Sequence, residues 1–157
     1  NSKRADSMYK HIVVPLDGSH NSKLALSEAL KLVNQFNAEL TLVNVADDKR
    51  LIYEVTGTGI ANTGGYYKEL DEHATAILDE GKKIATDAGV TAKTEVLHGS
   101  PKQVIAVEYP ESHDVDLIVM GKSGTDAIDR LLVGSTTAAV VRNALTNVLV
   151  IAEPTNN

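Results

Sequence analysis

The sequence predicts an α/β fold: a single doubly wound, five-stranded parallel sheet in the order 3-2-1-4-5 with four helices, Rossmann-like in layout. Three observations carry this reading. Short β-branched runs alternate with longer segments of helical period along the chain. Aromatic residues make up only 4%, with no Trp and one Phe, so the core must be filled by Val, Leu, Ile and Ala, as in a parallel sheet covered by helices. The 157 residues are enough for one domain with one sizeable core.

The elements follow in order. His11 to Leu16 (HIVVPL) is a short buried strand closed by Asp17-Gly18-Ser19. From Ser19 to Phe36, apolar residues recur at Leu26, Ala29, Leu30, Val33 and Phe36, the stripe of an amphipathic helix with Ser19 or Ser22 as cap. Glu39 to Val45 is the second strand. Asp47 to Gly65 has no clear period and reads as a loop, with Thr56 to Gly65 a flexible lid-like stretch. A second helix runs from about Tyr66 to Ala88 and ends at Gly89 as a left-handed cap. Val90 to Leu97 alternates, as a strand with one less buried face does. Ser100 and Pro101 open a short helix that Pro110 closes. Asp116 to Met120 is a doubly buried strand, Ser135 to Ala144 the last helix, and Asn147 to Ala152 the fifth strand. Met8 reads as a natural start, with 1–7 a leader or expression remnant, 8–153 the domain and 154–157 a tail.

Composition excludes several function classes. A net charge of −6 argues against broad contact with nucleic acid or anionic membrane, though not against a local basic pocket. Cysteine is absent, which removes disulfides, thiol catalysis and thiolate metal sites and fits a reducing cytoplasm. No apolar run reaches the ~20 residues of a spanning helix. The five histidines, His11, His20, His73, His98 and His113, are scattered without metal-ligand spacing. Asp114 and Asp116 read as a helix–strand turn. A lone Asp17 without an acidic cluster speaks against a phospho-acceptor site.

Such a sheet binds ligands beyond the carboxyl ends of its strands, where strand order reverses. Here that crevice lies between Asp17-Gly18-Ser19 and Gly121-Lys122-Ser123-Gly124. The Gly-Lys-Ser is not a Walker loop, because the position five before Gly121 is Asp116, inside a strand candidate. Read by glycine spacing, the segment is G-x2-G-x9-G-S: Gly121, Gly124, Gly134, Ser135. Gly121 ends the strand with no side chain to block a ligand, and Gly124 lets backbone N–H groups turn inward. Gly134 and Ser135 start a helix whose N–H groups and positive dipole end favour an anion. Ser135 also serves as a helix cap without any ligand. The Ser135 and Thr136 hydroxyls add donors, and Lys122 either neutralises a phosphate or points into water.

At this point the chain resembles the universal stress protein family, ATP-binding branch. The resemblance runs from Met8 to Ala152 and rests on MYKHIVVPLDGS, LTLVNV and LIVMGKSGTDAIDRLLVGSTTAAVVRNALTNVLVI. It implies an ATP site in which Asp17 holds ribose or adenine, Pro15 lines the pocket and Val45 packs on adenine. Gly121 to Thr125 would wrap the ribose and phosphate side, and Gly134, Ser135 and Thr136 would bind phosphates. It also implies a homodimer through the fifth strands, Asn147 to Ile151. Two departures stand out: Asn44 replaces a frequent His, and ALTNV replaces the usual Pro near the last strand.

The reading is therefore a cytoplasmic, dimeric sensor or regulator that binds ATP, with Mg²⁺ or Mn²⁺ on the phosphates. No convincing general base or nucleophile is present, so any hydrolysis should be slow. The alternative is a same-fold interaction protein that does not use nucleotide, for which Asn44 is the motive. A small-molecule transferase at the same crevice lacks visible machinery.

Overall fold

A computed structural model describes residues 8–47, 63–123 and 132–154. It contains β1 (His11–Pro15), α1 (His20–Phe36), β2 (Glu39–Ala46), α2 (Thr63–Asp87) and β3 (Ala92–His98). Then come α3, built from Pro101–Gln103, a π-helical segment Val104–Glu108 and Tyr109–His113, followed by β4 (Leu117–Gly121), α4 (Ser135–Asn143) and β5 (Asn147–Ile151). All strand pairings are parallel and the sheet order is β3-β2-β1-β4-β5. The predicted α/β architecture is the observed one.

The period of two along each strand divides the core into two layers. Ile12 and Val14, Leu40 and Leu42, and Leu117 and Val119 face α1 and α2 with Leu26, Ala29, Leu30, Leu78 and Ala85. Val13, Val43, Ile118 and Met120 face α3 and α4 with Val104, Ile105, Tyr109 and Val140. Full burial of a side chain such as Ile12 or Leu42 contributes roughly 1.5–3 kcal/mol. The packing is tight enough at α2 that a Cβ on Gly81 would clash with Leu16 Cδ1, so α2 lies directly against the residue before Asp17.

Helix ends are set by local chemistry. Ser19 caps α1, accepting from the Ser22 N–H at 3.2 Å, while the Ser22 hydroxyl donates to the Ser19 carbonyl at 2.9 Å. At the other end Asn37 is left-handed (φ 54°) and the Ala38 N–H reaches back to Val33 O. Gly89 (φ 77°) ends α2 in the same way, with Val90 N–H on Ala85 O and Gly89 N–H on Thr86 O. Asp114 is the left-handed residue after α3, and the Asp116 carboxylate accepts the N–H groups of Lys10 (2.8 Å) and His11 (3.2 Å). Both act as turn residues, as expected.

Two boundaries differ from the sequence reading by more than two residues. Pro110 does not close α3, which runs on to His113. A proline clashes with the carbonyl four residues back and donates no bond to it. Here the preceding turn has already widened to π spacing, with the Tyr109 N–H donating to Val104 O five residues back. The second helix also begins at Thr63 rather than Tyr66, so Gly64 and Gly65 lie within its first turn. The rest of the predicted loop, 48–62, lies outside the described residues, as do 1–7 and 155–157.

Candidate functional site

β1 and β4 are neighbours whose following helices cover opposite faces of the sheet. Their carboxyl ends therefore diverge, and a cleft of about 550 Å³ opens between them.

One wall follows β1. Pro15 and Leu16 lead into Asp17, whose Oδ1 accepts the Ser19 N–H at 2.9 Å. Gly18 sits at φ 83°, a conformation that favours glycine, and this turns the chain into α1 with Asp17 exposed beside the cleft. The neighbouring end of β2 supplies Val43, Asn44 and Val45. Asn44 donates from Nδ2 to Leu16 O at 2.8 Å, so its amide ties β2 to the loop after β1. Pro101 and Ile105 of α3 complete an apolar floor.

The facing wall follows β4. Gly121 lines the cleft, but the space left by its missing Cβ is occupied by α1: a Cβ there would lie 2.7 Å from the Asn21 carbonyl oxygen and 2.8 Å from its carbon. This corrects the sequence expectation that Gly121 makes room for a ligand. What it makes room for is the first turn of α1. The strand end is further held by the buried Thr137 hydroxyl, which donates to Gly121 O at 2.8 Å. Lys122 donates its N–H to Ile151 O and accepts the Gly134 N–H at 2.9 Å.

Those bonds aim the start of α4 at the cleft, where Gly134, Ser135 and Thr136 line it. Gly134 is the N-cap, so Ser135 is the first helical residue and not the cap, and the cap residue has no side chain with which to close this end. The opening N–H groups of a helix have no intrahelical acceptors, and they carry the positive end of its dipole. Leu132 and Val133, 65% and 47% exposed, place apolar surface at the cleft mouth. Apolar walls with a few convergent donors suit a flat heterocycle carrying an anionic group.

Of the ten residues singled out from the sequence, Pro15, Asp17, Val45, Gly121, Gly134, Ser135 and Thr136 line this one cleft. Lys122 is not among its lining residues, and Gly124 and Thr125 lie outside the described residues. Sequence reasoning missed Ile105, Leu132 and Val133 as cleft walls and Thr137 as the tie to Gly121. Thr137 stands two residues after Ser135, and only its burial distinguishes it from the neighbouring Thr136. Tyr109, whose phenol is pushed well above its usual range by burial and by the Glu95 carboxylate, packs in the core and is not part of the cleft.

The universal stress protein family model matches residues 8–152. The chain belongs to the universal stress protein family. A Staphylococcus aureus relative named as a universal stress protein is 34% identical over 145 residues, covering 91% of this chain and 84% of the relative. Among solved structures, the universal stress protein UspA from Lactobacillus plantarum superposes with a TM-score of 0.69 at 32% identity, covering 91% of this chain and 97% of that one. A universal stress protein crystallised in complex with cAMP superposes with a TM-score of 0.66 at 26% identity, over 93% and 98% of the two chains. Among the described residues no helix is long and apolar enough to cross a membrane.

Proposed function

We propose that this universal stress protein binds an adenine nucleotide, ATP with Mg²⁺ or Mn²⁺ on its phosphates, and acts as a dimeric sensor or regulator. The observation that carries the reading is the juxtaposition, across one cleft, of an apolar slot and the glycine-capped start of α4. Pro15, Val43, Val45 and Ile105 offer the surface for adenine. Asp17 offers a carboxylate oxygen for ribose hydroxyls or the adenine amine. Gly134, Ser135 and Thr136 offer backbone and hydroxyl donors for phosphates. Among the described residues no group of three His, Cys, Asp or Glu stands ready to hold a metal. A divalent cation in this reading is held through the phosphates.

Among the described residues the cleft's polar side chains are hydroxyls, the Asn44 amide already engaged with Leu16, and Asp17, half engaged with Ser19. That set binds and orients: among the described residues Asp17 is its one carboxylate, and with Oδ1 held by the Ser19 N–H it supplies a weak general base, so hydrolysis should be slow. The first test is to denature protein purified without added ligand and chromatograph the supernatant for nucleotide. Binding is then quantified by thermal unfolding with and without Mg·ATP. A ligand at a hundred times its Kd stabilises the folded state by about 2.7 kcal/mol, which for this size shifts Tm by roughly 5–10 °C. An empty protein whose Tm ignores millimolar Mg·ATP would overturn the reading.

For the dimer, β5 is the edge strand of the sheet among the described residues, and Leu149, Leu145 and Val141 are exposed apolar residues on or near it. Pairing with a second β5 would cover this edge. Leu149→Lys should therefore convert a dimer into a monomer in sedimentation equilibrium. A wild-type protein that is monomeric at tens of micromolar would count against the assembly.

A further inference from the structure

Asn21, in the first turn of α1, sits where the two halves of the sheet meet. Its backbone carbonyl packs on Gly121 at the end of β4, and its Nδ2 donates to the Ser123 hydroxyl at 2.7 Å, a bond between residues 102 apart in sequence. Its Oδ1 is enclosed and, among the described residues, has no hydrogen-bond partner. A buried carbonyl oxygen without a donor destabilises the fold, so this amide is held in place at a cost. The reverse amide orientation is worse, because it would enclose an NH₂ group with two donors and no acceptor, and buried donors are left unpaired more rarely than carbonyl oxygens.

The direction of the bond has a chemical consequence. A serine hydroxyl carries one proton and two lone pairs. With a lone pair engaged by Asn21 Nδ2, the Ser123 proton cannot be directed back at Asn21 and remains for another acceptor. Ser123 lines the cleft, on the same wall as the start of α4. We propose that Asn21 is a positioning residue that orients the Ser123 hydroxyl as a donor toward an anionic oxygen of the bound ligand. The inference rests on the nucleotide-binding reading and deepens it: Asn21 acts on the phosphate end through Ser123 and leaves the adenine end untouched.

Calorimetric titration of Mg·ATP and of adenosine into four proteins tests this: wild type, Asn21→Ala, Ser123→Ala and the double variant. Loss of one hydrogen bond to a charged group should weaken Mg·ATP by roughly tenfold in each single variant. Adenosine affinity should stay within about twofold, and the double variant should lose no more than either single one, the signature of two residues acting as a unit. Ligand-free Asn21→Ala should melt at or above the wild-type temperature, since the unpaired oxygen goes with the side chain. A purely structural role would instead lower Tm and both affinities together. Unchanged Mg·ATP affinity in Asn21→Ala, equal losses for ATP and adenosine, or additive losses in the double variant would each overturn the positioning role alone. Wild-type protein that binds neither ligand would overturn the functional reading and this proposal together.

Discussion

Gly121→Ala is expected to cost about 3 kcal/mol or more of stability and to lower Tm by roughly 6–12 °C, measured by calorimetry without ligand. The added Cβ would meet the backbone oxygen and carbon of Asn21 at 2.7 and 2.8 Å and its Cβ at 2.9 Å. Two of those atoms are main chain in the first turn of a helix, so no side chain can rotate away. That turn is itself fixed by the Ser19 cap and by its packing on β4. Relief requires α1 to lift from the sheet, which would disturb the layer holding Val119, Leu26 and Ala25. The strand end would also move relative to Thr137, whose buried hydroxyl would then lose its acceptor. A variant within 1 kcal/mol of wild type would show that α1 and β4 are less rigidly apposed than their geometry implies.

Ser135→Glu should have the opposite signature. Ser135 opens α4, and an acidic residue in a first turn interacts favourably with the helix dipole, by about 0.3–1 kcal/mol. Ligand-free stability should therefore hold or rise. In the proposed complex the same carboxylate occupies the position of the phosphates, where like charge and lost donors oppose binding. Mg·ATP affinity should fall about a hundredfold or more, roughly 2.7 kcal/mol, by calorimetric titration. A folded Ser135→Glu protein with affinity within threefold of wild type would remove α4 from the phosphate site.

Most of the fold was legible because β1 and β4 are continuous apolar runs, and the helices between strands carry a clear stripe. The cleft's position followed from strand order, since Asp17 lies just after one, and Gly121 at the end of the other, of the two strands that flank the reversal. What escaped was set by tertiary context. The end of α3 was misplaced because a π turn before Pro110 removes the conflict that a proline normally creates. The function of Gly121 was misread because glycine spacing does not say which neighbour fills the vacated volume. Asn21 and Thr137 gave no local signal: one acts on a residue 102 positions away, and the other looks like any helix-start threonine until its burial is known. Ile105 entered the cleft from the core, where apolar pattern alone cannot separate packing from lining.

The doubly apolar character of β1 and β4 carries a further consequence, for pairing error. In a strand with one wet face, a slip of one residue exposes the entire apolar set, and that penalty fixes the alignment. β1 has no such safeguard: Ile12, Val13 and Val14 are all buried, so a slipped strand still presents apolar groups to both layers. Alignment must then be enforced by polar groups at the strand ends. The Asp116 carboxylate on the Lys10 and His11 amides marks where β1 begins, and the Asn44 amide on the Leu16 carbonyl marks where it stops. These contacts work as fiducial pins, placing Asp17 at a fixed offset from Gly121 so that the two sides of the cleft meet in one frame.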